Sequence, residues 1–262
     1  MENPPTQSSM LPWAVALIIT ALCWLVTIRS VGQMTGDMPM PGGWIMSMAW
    51  MPGQPMIGAA VTFLVMWEVM MVAMMLPSAM PMVLLYGRLL EARQARGEPG
   101  VPRLVLLAGY FSAWLIFGTV AFAVGSAIAG WSMRAANVSR AIPAATGLAL
   151  VLAGVYQLTP LKRACLSHCR SPLSFFTTGW RSGWCGTFTL GLHHGTYCTA
   201  CCWALMLIQL ALGIMDVRLM AAVAAIIGLE KSSRYGYRIA TGVGVVSIAV
   251  GAYLAVRSLL TA

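Results

Sequence analysis

His194-Gly195-Thr196-Tyr197-Cys198-Thr199-Ala200-Cys201-Cys202 packs three thiols and an imidazole into a short stretch flanked by membrane-like apolar sequence. If it is helical, at about 100° per residue, Cys201, His194, Cys198 and Cys202 fall within an arc of about 100°. Gly191 and Gly195 lie on or beside that stripe, leaving room for another group or helix. His193 points elsewhere. Side chains three and four apart on a helix are stacked neighbours, so these Cys and His residues can share one ion. Thiolate plus imidazole is a soft donor set that selects Cu(I), Zn(II) or another thiophilic metal over Mg(II) and Ca(II). Burial keeps such thiols protonated and inert unless a cation replaces the proton. The bland alternatives are cysteine as a small buried hydrophobe and His194 as a hydrogen-bond donor between helices.

A second soft-donor stripe precedes it. In the segment Met66 to Met82, helical phase puts Glu68, Met71, Met75 and Ser78 along one side. Thioethers bind Cu(I) in preference to hard cations, although any single methionine is more simply a flexible core filler. Distribution favours the functional reading, because 14 of the 20 methionines lie between Met34 and Met82. Pro77 and Pro81 are expected to kink this helix. Glu68 inside a span is costly to bury and marks a cavity, a partner or an ion path. Glu230 beside Lys231, nearer a helix end, reads as a simple interfacial pair.

A third cluster, Cys165, His168 and Cys169, forms a C-x-x-H-C triplet in a basic stretch with Lys162, Arg163 and Arg170. If helical, it presents three soft ligands on one side. Its spacing is not that of a zinc finger, which needs a second Cys/His pair. The candidate metal ligands are therefore His194, Cys198, Cys201, Cys202, Glu68, Met71, Met75, Cys165, His168 and Cys169.

The runs MMVAMMLPSAMPM, YQLTPLKRACLSHCRSP and GLHHGTYCTACCWALM, in this order, resemble a bacterial family of predicted metal-binding integral membrane proteins. The likeness spans roughly residues 60 to 236. It implies a multi-span, metal-associated membrane protein and nothing sharper; the localisation expected for the chain is the bacterial cytoplasmic (inner) membrane. The resemblance assigns no ligands.

Helices must carry these side chains. Of 262 residues, 59% are hydrophobic and 9% charged, and the mean hydropathy is +0.80, which excludes a soluble globular domain. Apolar runs near residues 11–29, 59–86, 104–129, 143–161, 185–212 and 238–260 are long enough to cross about 30 Å of hydrocarbon. A shorter run, 217–230, is the candidate seventh. An all-α, polytopic bundle of six to seven transmembrane helices is expected. The first run, with Glu2 before it and no small-residue cleavage site after it, reads as a retained span. Arginines and lysines concentrate in 87–103, 162–184 and 231–238, so the positive-inside rule places the N-terminus in the cytoplasm. The Met-rich segment at 30–58 is then external, a candidate metal-collecting surface. Residues 1–262 read as one membrane domain without repeats. The net charge of +9 fits anionic lipid at the cytoplasmic face, and no nucleic-acid surface is visible.

Four functions remain. The first is a copper(I)-binding membrane protein acting in transport or delivery, whose partners are the lipid bilayer, the ion and a membrane cuproenzyme or periplasmic metal carrier. No phosphate-binding loop of a primary pump is present. The second is a membrane thiol-disulfide oxidoreductase using Cys198 and Cys201. The others are a non-catalytic accessory subunit of a larger complex, and a haem protein ligated by His193 or His194 with a partner such as Met71. Copper(I) is the leading cofactor, with zinc or another thiophilic metal as the alternative and haem behind them.

Overall fold

The computed structural model describes residues 7–33, 38–41, 44–46, 55–98, 100–171, 176, 180, 182–213 and 216–261. Its helices are α1 (Gln7–Gln33), α2 (Met56–Gln94), α3 (Arg103–Arg134), α4 (Ala136–Leu158), α5 (Pro160–Arg170), α6 (Gly183–Gly213), α7 (Val217–Ser232) and α8 (Gly236–Thr261). The expected all-helical membrane architecture holds, and six of these helices, all but α5 and α7, are long and apolar enough to cross a membrane. The run at 217–230 lies in α7, whose 16 residues extend only about 24 Å at 1.5 Å per residue. α2 is longer than its apolar run because it continues through Gly87 to Gln94 into the basic segment, and α3 because it continues to Arg134 at its other end.

Local chemistry explains the boundaries. Pro160 at the first position and the Thr159 hydroxyl, which accepts from the Lys162 N–H at 3.3 Å, start α5. Asp216 starts α7 by accepting from the backbone of Arg218 and Leu219 at 2.8 and 3.1 Å. Pro77 and Pro81 sit within α2, which stays helical from Met56 to Gln94.

Among the described residues, a small part is extended. Strands β1 (Met38–Met40) and β2 (Trp44–Met46) pair antiparallel, Met38 opposite Met46. The Trp44 indole N–H donates to the Ser139 carbonyl at 2.9 Å, and Ser139 Oγ donates to the Pro41 carbonyl at 2.7 Å. Met40 and Met46 are buried against Ala129, whereas Met56 is exposed. Met34, Met48 and Met51 of the expected metal-collecting surface lie outside the described residues.

Burial separates interior from lipid-facing helices. Half of the most apolar stretch of α6 and 44% of that of α2 are buried, against 11% for α1. One side of α2 and one side of α6 therefore face protein, and the soft-donor stripes are on these two helices. One apolar cluster runs from Phe63 and Trp67 through Met71, Met75 and Tyr110 to Cys198, Cys201 and Ile227. At the periphery, α4 and α8 approach backbone to backbone at Gly147 against Gly251 and Gly154 against Gly244.

Candidate metal centre

Cys198, Cys201 and Cys202 are buried at 0%, 0% and 1% exposure, and their three Sγ atoms lie within 4.8 Å of one another. Cys201 and Cys202 stand 3.2 Å apart. A fourth thiol, Cys169 on α5, reaches Cys201 at 3.6 Å. With metal–thiolate bonds of about 2.3 Å, two sulfurs on one ion can be at most about 4.6 Å apart, so both separations suit a shared ion. The Cys169 thiol is held above its ordinary value, chiefly by hydrogen bonding to Cys198, and keeps its proton until a cation takes the proton's place.

A buried ion pair brings α5 to this position. Lys162 and Glu230, each 1% exposed in its side chain, meet at 2.6 Å. Lys162 Nζ also donates to the Cys201 carbonyl, and Gln157 Nε2 donates to the second Glu230 oxygen at 3.1 Å. The pairing of Glu230 with Lys231 expected from their adjacency does not form. Neighbours in a helix point about 100° apart, so Glu230 turns to α5 and Lys231 to α6. Burial works against the Lys162 ammonium, but Cys202, Glu230 and Cys201 outweigh it and raise its proton affinity.

Lys231 Nζ lies 3.0 Å from Cys198 Sγ and 3.2 Å from Ser78 Oγ. On the other side, the Tyr110 hydroxyl of α3 is 2.9 Å from Cys198 Sγ. Glycine makes that contact possible. A methyl group on Gly191 or Gly195 would meet the carbonyls of Leu106 and Tyr110, so only bare backbone lets α3 come this close.

The other candidate ligands have separate settings. His194 is 5% exposed, its ring 6.0 Å from that of Tyr110, and it is not one of the three clustered donors. The C-x-x-H-C triplet divides within its helix. Cys169 joins the thiols, Cys165 is buried beside Tyr156, and His168 is exposed, stacked on Tyr197 at 4.6 Å with Nδ1 near the Ala164 carbonyl. His193 is exposed and packs edge-on against Tyr197.

Met71 and Met75, both 0% exposed, lie between Glu68 and Ser78 at helical spacing on α2. Ser78 touches Lys231, so the stripe ends at the thiol cluster. Near its other end, Gln209 Nε2 donates to Met70 Sδ at 3.4 Å. Glu68 Oε1 and Gln209 Oε1 are buried and accept no hydrogen bond among the described residues. Each is a buried acceptor that a cation or a proton could satisfy.

Comparison with known families adds a family to this donor set. Residues 64–254 match the model of the family described as PpoB2, copper chaperone. The chain belongs to the PpoB2 copper chaperone family. All ten candidate ligands fall inside the matched region, whereas the whole of α1 and the Met-rich segment before Met56 fall outside it. No curated protein and no solved structure matches the chain.

The residues present fit a soft metal ion such as copper: buried sulfurs at bridging distance, with no carboxylate among the three clustered donors. Sequence reasoning missed Tyr110 and Gln209, and it singled out Lys162 and Lys231 without the partners they take. The available signal was a polar or charged side chain within or just beside apolar sequence. Which sulfur each would face depends on packing between helices distant in sequence.

Proposed function

We propose that this PpoB2-family protein is a Cu(I) carrier of the bacterial cytoplasmic membrane, holding the ion on Cys198, Cys201, Cys202 and Cys169. The Glu68–Met71–Met75 stripe is its path across the apolar interior, with His194 beside the thiols as an auxiliary donor. The reading places the N-terminus in the cytoplasm and the thiol centre toward the basic, cytoplasmic end of one membrane domain. Copper reaches or leaves the centre through the stripe, exchanging between the protein and a membrane cuproenzyme or periplasmic carrier. Thioether-to-thiolate exchange suits a carrier because Met71, Met75 and the thiols are all soft donors, so the ion passes between like ligands.

The observation that carries this reading is a four-thiol cluster, shared by two helices, at the end of a buried methionine stripe. An oxidoreductase exchanging disulfides with protein substrates needs an accessible attacking sulfur, and complete burial of Cys198 and Cys201 favours a small ion instead. The test is elemental analysis of protein purified after growth in copper, beside the Cys198→Ser/Cys202→Ser double variant and the Cys169→Ser variant. Copper in the wild type, its loss in the double variant and a reduced amount in Cys169→Ser are expected. Equal copper in all three would remove the thiols from the site.

A further inference from the structure

Two lysines flank the thiol cluster, and only one has a carboxylate. Lys162 meets Glu230 at 2.6 Å. Lys231 meets no carboxylate among the described residues, and its Nζ is placed between Ser78 Oγ and Cys198 Sγ at 3.2 and 3.0 Å. An ammonium in an apolar bundle is costly unless an anion faces it. The anion available here is sulfur.

We propose that Lys231 is a specificity-determining residue, its ammonium serving as the counter-charge of a monovalent thiophilic ion held by the cluster, which biases the site toward Cu(I) over divalent metals. The inference rests on the copper-carrier reading and deepens it. With two of the four thiols deprotonated and the other two still protonated, a bound cuprous ion leaves one net negative charge, whereas a divalent ion leaves none. In surroundings that penalise net charge, the first complex is neutral only with one added positive charge. Lys231 supplies it from a third helix, without occupying a coordination position. Lys162 does not supply it, since its charge is already matched by Glu230. Ser78, on the side of α2 that carries Met71 and Met75, holds the ammonium where the stripe meets the cluster, so the counter-charge stands where a monovalent ion would arrive.

The experiment measures affinity of the purified, reduced protein for Cu(I), Ag(I) and Cd(II) by chelator competition, in the wild type and in Lys231→Met, Lys231→Gln and Lys231→Arg. Thermal unfolding without metal checks that each variant is folded, and Lys231→Gln, which retains a donor for Ser78, serves if Lys231→Met is not. The neutral variants are expected to lose at least about tenfold in Cu(I) and Ag(I) affinity relative to Cd(II), with Lys231→Arg staying within about threefold of wild type. Sorting by ionic charge, with silver following copper, is the signature. Equal weakening of all three ions would make Lys231 a strut between α2 and α6, and unchanged affinities would give it no role at the site. Either result overturns this inference while leaving the carrier reading intact. A wild type that binds neither monovalent ion overturns both.

Discussion

A hydroxyl, an ammonium and three other sulfurs surround Cys198, and each can be removed with little change of shape. Tyr110→Phe deletes the hydroxyl 2.9 Å from Cys198 Sγ. Because partners that orient a metal ligand commonly affect affinity, about tenfold weaker Cu(I) binding is expected. Competition with a cuprous chelator measures it, and an unchanged constant would reduce Tyr110 to packing. Glu68 acts elsewhere, since its unpartnered oxygen lies ten residues before Ser78 on α2. Glu68→Gln should leave the copper content of purified protein near wild type yet increase the copper sensitivity of cells that depend on the carrier. Growth matching wild type would end its proposed role in passage.

At the scale of elements, the site depends on how α3 and α5 meet α6. Gly191→Ala places a methyl group against the Leu106 carbonyl. Overpacking of this kind costs about 1–3 kcal/mol, so a lower unfolding temperature in detergent and weaker metal binding should appear together. The α5 contact is electrostatic. Lys162→Met or Glu230→Gln alone leaves one buried partner uncompensated, at a cost of about 3–5 kcal/mol, while the Lys162→Met/Glu230→Leu double variant should recover much of that loss. Additive losses in thermal unfolding would show that the two side chains act independently. The pH dependence follows from the raised proton affinity of Lys162. A group raised in the folded state stabilises fully below its unfolded value, here the ordinary 10.5, and that contribution disappears as pH rises through the folded value. Stability from this pair is therefore flat across neutral pH and declines only in strong alkali.

For the whole molecule, sidedness and depth make a joint prediction. Cys185 is exposed near the basic-end start of α6, whereas Cys198, Cys201 and Cys202 are buried further along the same helix. A membrane-impermeant maleimide should label Cys185 in inverted vesicles and not in intact cells, and should spare the three buried thiols in both. Labelling of Cys185 from outside would reverse the proposed orientation. Rapid labelling of the buried thiols would mean that the bundle opens to water at the metal centre.

Helix class, approximate spans and the soft-donor stripes were legible in the sequence because they follow from short-range rules. Apolar length fixes a span, and a 3.6-residue period fixes which side chains share a face. That period aligned Cys198, Cys201 and Cys202, and it aligned Glu68 with Met71, Met75 and Ser78. Tertiary structure alone decided what faces them. Cys169 separates from Cys165 and His168 because α5 is drawn in by Lys162, and Glu230 pairs with Lys162 across 68 positions in preference to its neighbour Lys231. Tyr110 reaches Cys198 because two glycines admit α3. These are contacts between elements remote along the chain, set by packing and by the cost of burying charge, so no local periodicity encodes them.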